Sequence, residues 1–135
     1  MNTDSGAAEG GNRMSYDIRF GVKIEGMDGY IAVIDEPVYS SPTYNLRDMF
    51  VACMGWDYKQ GKWYNCAEVF PKIRHGQEEL MLYPHRYRKY NAENGWGTVS
   101  SAKECLDSVV RKIGEIVSGE WNWNEIPLEH LWMRW

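Results

Sequence analysis

Three histidines, three cysteines and a handful of acid pairs are the side chains that could bind a metal, attack a carbon or move a proton. His75, His85 and His130 with Cys53, Cys66 and Cys105 include no pair at the i, i+4 helical spacing of a zinc enzyme. No metal site and no cofactor are therefore expected. Cys53 and Cys105 fall on apolar helical stripes, where a thiol packs as a small hydrophobe rather than acting as a nucleophile. A Cys–His or Ser–His pair meets in space rather than in sequence, but the chain carries no nucleophile-elbow motif. Asp35-Glu36, Glu78-Glu79 and Glu25 with Asp28 read as solvated surface, since glycoside chemistry needs two carboxylates across a deep cleft. The residues thus predict a protein that is not an enzyme and has no catalytic group.

Groups suited to recognition are more abundant. Tyr83-Pro84-His85-Arg86-Tyr87-Arg88-Lys89-Tyr90 interleaves rings with cations, so Arg86 and Arg88 can fork onto phosphate or carboxylate while Tyr87 offers a stacking face. The same run is also what a solvated helix end looks like, with basic residues complementing the dipole. Seven Trp and nine Tyr are a heavy load of amphipathic rings for 135 residues. Trp56, Trp63, Trp121 and Trp123 lie in polar stretches outside any periodic pattern, and aromatic anchors dominate binding hot spots. Gly95-Trp96-Gly97-Thr98 precedes a helix without the Gly-Lys-Ser/Thr of a phosphate loop. It reads either as a tight turn plugged by Trp96 or as an anion site with Trp96 stacked on a base. Trp56, Trp63, Arg86, Tyr87, Arg88 and Trp96 are the predicted ligand- or partner-binding residues.

Composition narrows the class of protein. With 44% hydrophobic and 25% charged residues the chain fits one domain. No run of apolar residues is long enough to cross a membrane. An excess of 19 acidic over 15 basic residues argues against bulk nucleic acid as the main partner. The odd, scattered cysteines without a signal peptide predict reduced thiols in a cytoplasmic protein.

These groups must be positioned by a modest set of elements. Residues 1–13 are small, polar and glycine-rich, predicting a mobile tail, and Met14-Ser15 resembles a second start before a domain over 14–135. Tyr16, Ile18, Phe20, Val22 and Ile24 alternate with polar residues or glycine, predicting a half-buried strand. Gly26-Met27-Asp28-Gly29 then turns into a second strand over 30–34, which Pro37 closes. A helix over 45–54 is predicted with Asn45 as its cap and Gly55 as its stop, and an exposed connection over 56–64 follows. The next helix starts near Ala67 with a stripe of Val69, Phe70, Ile73, Gln77, Leu80 and Met81. Gly76 weakens its middle and Pro84 ends it. Ser101 and Glu104 have capping-box spacing ahead of the best helix, which Gly119 terminates. A last strand after Pro127 should insert beside the first. The expected fold is α+β in two layers: a small, mainly antiparallel three-stranded sheet, a hairpin plus the C-terminal strand, with about three helices on one face. An open sheet edge would allow a homodimer by strand pairing.

MSYDIRFGVKIEG at 14–26, SPTYNLRDMF at 41–50, NGWGT at 94–98 and the closing IPLEHLWMRW carry a resemblance. The chain resembles a family of small uncharacterised proteins encoded mainly by phages, prophages and mobile elements of gut and other Gram-positive bacteria. That resemblance implies a mobile-element setting, in which small non-enzymatic accessory proteins bind host components. The expectation is a non-catalytic phage or prophage accessory protein acting on a host protein, such as part of a defence system. The alternative is a binder that sequesters a nucleotide-like small molecule in an aromatic and basic pocket.

Overall fold

The computed structural model describes residues 18–23, 31–33, 46–92, 97–120 and 125–135. The 1–13 tail, the turn at 26–29, Asn45, Trp96, Trp121 and Trp123 lie outside them. The elements run β1 (Arg19–Lys23), β2 (Ile31–Val33), α1 (Arg47–Met54), β3 (Trp63–Asn65), α2 (Cys66–Leu82), α3 (Val99–Ser118) and β4 (Leu131–Arg134). This is the expected α+β arrangement, a hairpin and the C-terminal strand forming an antiparallel sheet, accompanied by three helices.

The sheet order is β2-β1-β4-β3, and every pairing is antiparallel. Its fourth strand, β3, departs from the expected exposed connection over 56–64. Three residues are too short to show alternation, so the strand is invisible to a periodicity argument. Tyr58, in the same stretch, is among the most deeply buried side chains rather than exposed. It stacks on Trp135 with ring centroids 4.9 Å apart. Arg47 secures this connection to α1, donating to the Tyr58 carbonyl at 2.8 Å and pairing with Asp57 at 2.9 Å.

Period two decides what each strand buries. Ile18, Phe20, Leu131 and Met133 enter the core, while Arg19, Lys23, Trp132 and Arg134 alternate onto the opposite face. The helices supply the rest of the core: Met49, Phe50 and Cys53 from α1, Val69, Ile73 and Leu80 from α2, and Leu106, Val109 and Ile113 from α3. Each fully buried aliphatic or phenyl side chain of this kind contributes roughly 1.5–3 kcal/mol.

Helix α2 packs against both α1 and α3, and its middle explains Gly76. A β-carbon there would lie 2.5 Å from Met54 Cγ and 3.2 Å from both Cys53 Sγ and Leu106 Cδ1. The glycine weakens the isolated helix but permits the three helices to approach. The buried stripe is Cys66, Val69, Ile73, Gly76 and Leu80. Met81, expected on it, is instead 58% exposed.

Helix ends follow local chemistry. Asn65 caps α2, its side chain accepting from the Ala67 amide at 3.0 Å. Gly55 and Gly119 end α1 and α3 in the left-handed region that a side chain would strain. Helix α3 starts earlier than its Ser101–Glu104 pattern suggested: Thr98 is the cap and Ser101 the returning partner. Ser101 is therefore inside the helix, where it answers Thr98 rather than initiating the turn. The final strand also begins later than Pro127, because Leu128–His130 forms a 3-10 turn first.

Candidate functional site

The sequence-predicted binding residues do not gather in one place. Trp63 stands just before α2, whereas Arg86, Tyr87 and Arg88 follow it, and a helix of 17 residues separates its ends by about 25 Å. Trp96 lies outside the described residues.

At the far end of α2 the basic-aromatic segment is turned largely on itself. Pro84–Arg86 and Arg88–Tyr90 are two short 3-10 turns. Tyr87 is only 8% exposed and belongs to the core, its hydroxyl donating to Glu79. Burial, reinforced by that hydrogen bond and the carboxylate charge, pushes its ionisation well above the usual phenol range. Arg86 lies 3.6 Å from the same carboxylate and 3.9 Å over the Tyr83 ring. Arg88 remains exposed. The stacking face and one of the two guanidinium forks are thus already engaged within the molecule.

The other end of α2 offers more. A recess of about 620 Å³ is lined by Trp56, Trp63 and Trp132, with Lys62, Lys72 and Glu68 at the polar positions. Trp56 is half-buried, edge-on to Tyr64 at 4.8 Å and to Trp135 at 6.3 Å, so it forms a wall of the core as well as of the recess. Trp63 is likewise half-buried, with the Arg134 guanidinium 5.0 Å from its ring. Lys23 sits 4.9 Å over Trp132, and Lys62 sits 5.2 Å over Tyr64. Asn65 anchors this end to the sheet, its amide donating to the Glu129 carbonyl at 2.7 Å. Of the site residues named from sequence, Trp56 and Trp63 are brought together here.

Trp132, Lys62, Lys72, Lys23 and Arg134 were missed. For Trp132 and Arg134 the signal was available, because they alternate with the buried Leu131 and Met133. The lysines become recognisable only once β3 lies beside β4.

Among the described residues, no carboxylate pairs with Lys23, Lys62, Lys72 or Arg134, as is also true of Lys59, Arg74, Arg88 and Lys89, whereas Arg47, Arg86, Lys103, Arg111 and Lys112 all have one. What sets this region apart is that its cations stand beside three indoles. A second recess of about 690 Å³, which includes Arg74, Gln77, Lys103 and Asp107, is internally neutralised. There Arg74 donates to Gln77 at 2.6 Å, Gln77 donates to Asp107 at 2.7 Å, and Lys103 pairs with Asp107 at 2.8 Å. Burial works against ionisation of Asp107, but those two donors outweigh it and hold its carboxyl below the usual range. At the start of α3, the Val99 and Ser101 amides are taken by Asn91 and Thr98, which reduces the room for an anion there.

Among the described residues, no cluster of three or more His, Cys, Asp or Glu is arranged to hold a metal, and no helix is long and apolar enough to cross a membrane. All three thiols are free and buried. Burial pushes Cys53 and Cys66 up to about 12, and Cys105 higher still. The native protein at pH 8 is therefore expected to leave its thiols unmodified by a disulfide reagent, with all three reacting in denaturant. Stoichiometric labelling before unfolding would contradict this placement.

Compared with protein-family models, with curated proteins and with solved structures, the chain matches none.

Proposed function

We propose that the protein is a non-catalytic binding module whose ligand is nucleotide-like, of the accessory kind that phages and prophages encode, working in the bacterial cytoplasm. The observation that carries this reading is the recess beside β3, where three indoles meet two lysines that form no ion pair with a carboxylate among the described residues. An indole supplies a flat face for a base, and an unpaired ammonium supplies a counter-charge for phosphate. Glu68, at the rim of the same recess, disfavours a second phosphate beside it and sets a preference for ligands of low charge. The buried, protonated thiols support binding rather than turnover.

A second reading, docking on a host protein, has one observation in its favour. Met81 and Leu82 are 58% and 53% exposed at the end of α2, next to the Arg86 and Arg88 segment. Apolar side chains bordered by cations suit a protein surface.

Titration of tryptophan fluorescence with a panel of nucleoside mono-, di- and triphosphates separates the two. Saturable quenching is expected, abolished by Trp63→Ala, weakened about tenfold by Lys62→Ala with Lys72→Ala, and unaffected by Arg86→Ala with Arg88→Ala. A flat response across the panel would remove the nucleotide reading.

A further inference from the structure

The recess is one end of a longer surface. Rows of paired residues cross the sheet on the face turned away from the core: Arg19, Arg134 and Trp63 in one, Gly21, Trp132 and Asn65 in the next, and Lys23 beyond. Trp63 and Trp132 are therefore diagonal neighbours on adjacent strands, a relation that places residues about 7–8 Å apart. That separation is close to the step between successive bases of an extended single strand. Each indole carries its own cation, Arg134 on Trp63 at 5.0 Å and Lys23 on Trp132 at 4.9 Å. Gly21, opposite Trp132, is itself buried and has no side chain to compete with the indole for that position. Among the described residues, helix α2 lines this surface at the recess, through Glu68, Val69 and Lys72.

We propose that this face binds a short single strand of nucleic acid, one base stacking on Trp63 in the recess and the next on Trp132, with the phosphates running along Lys62, Arg134 and Lys23. This rests on the nucleotide reading of the recess and extends it from one base to a strand. Charge complementarity selects the occupant. The chain as a whole is acidic, with 19 acidic against 15 basic residues, yet Lys23, Lys62, Lys72 and Arg134 stand along this surface without a carboxylate partner among the described residues. An acidic body with a narrow cationic track repels a wide, densely charged duplex and accepts a single strand threaded through it. Sequence preference would be slight, since stacking uses a face that every base has.

The test compares fluorescence quenching by thymidine monophosphate, thymidine and uridine tetranucleotides, and an eight-base-pair duplex. Stacking a second base is worth about tenfold or more in affinity, so the tetranucleotides should bind at least that much more tightly than the monophosphate. Lys23→Glu, an exposed change remote from the core, should reduce tetranucleotide affinity about tenfold and make its salt dependence shallower by about one phosphate contact. It should weaken the monophosphate far less, because Lys62 and Lys72, not Lys23, line the recess that holds a single nucleotide. Equal affinity for the monophosphate and the tetranucleotides, or no effect of Lys23→Glu, overturns the strand while leaving the nucleotide site standing. Tighter binding of the duplex overturns the strand as well. No quenching by any probe overturns both.

Discussion

Replacing Trp135 with alanine is expected to lower the free energy of unfolding by about 3–5 kcal/mol, the range for deleting a buried large aromatic side chain. Trp135 is 2% exposed and sits at the centre of a ring cluster. It contacts Phe50 at 5.1 Å, Tyr58 at 4.9 Å and Trp56 at 6.3 Å between centroids. Its backbone carbonyl also receives the Gly61 amide at 2.9 Å, which ties the turn before β3 to the end of β4. Alanine keeps that bond and removes the rings' common partner. Phenylalanine should be far milder, for a specific reason: the Trp135 indole N–H, like that of Trp132, is buried without an acceptor among the described residues. Leaving such a donor unsatisfied costs about 1–3 kcal/mol, and phenylalanine removes the donor while retaining a ring. Urea titrations of the two variants check this. Equal losses would show that the ring contacts contribute little.

The second large effect concerns Gly76 and has an internal control. Alanine normally stabilises a helix interior by about 0.5–1 kcal/mol relative to glycine. At Gly114 in α3 a β-carbon would meet nothing within 4 Å, so Gly114→Ala should give that gain. At Gly76 the same substitution should cost about 1–3 kcal/mol, because its β-carbon would lie 2.5 Å from Met54 Cγ, with the Cys53 and Leu106 side chains each 3.2 Å away. Met54→Ala should relieve much of the clash, so the double variant should lose less than the two single losses added together. Parallel denaturant curves for the four proteins measure it. A stabilising Gly76→Ala would mean that the helices do not meet there.

Much of the architecture was readable because it rests on periodicity. The alternation from Ile18 to Lys23, the wide apolar face of α3 and the stops at Gly55 and Gly119 are local signals that tertiary structure has no cause to override. What escaped was set by partners distant in the chain. Strand β3 exists because β4 accepts it, and Trp63–Asn65 has no pattern of its own. Tyr58 is buried because Trp135 stacks on it, although its sequence neighbours are polar. The site divided along the same line. Trp56 and Trp63 stood out as rings in polar surroundings and do line a recess. Tyr87, equally conspicuous, is drawn inward by Glu79, eight residues earlier in the chain and on α2, a contact that no helical or strand period reveals.

The position of β4 has a consequence for how the molecule comes into being. It lies between β1 and β3, so Arg19–Val22 and Trp63–Asn65 both pair with residues 131–134. A chain still emerging from the ribosome can wind its helices and close its first hairpin, but it has no central strand until residues 131–134 follow. Until then Ile18 and Phe20 lack their neighbours Leu131 and Met133, and β3 has nothing to pair with. A chain broken off before Leu131 would therefore present two unpaired strand edges to cellular proteases.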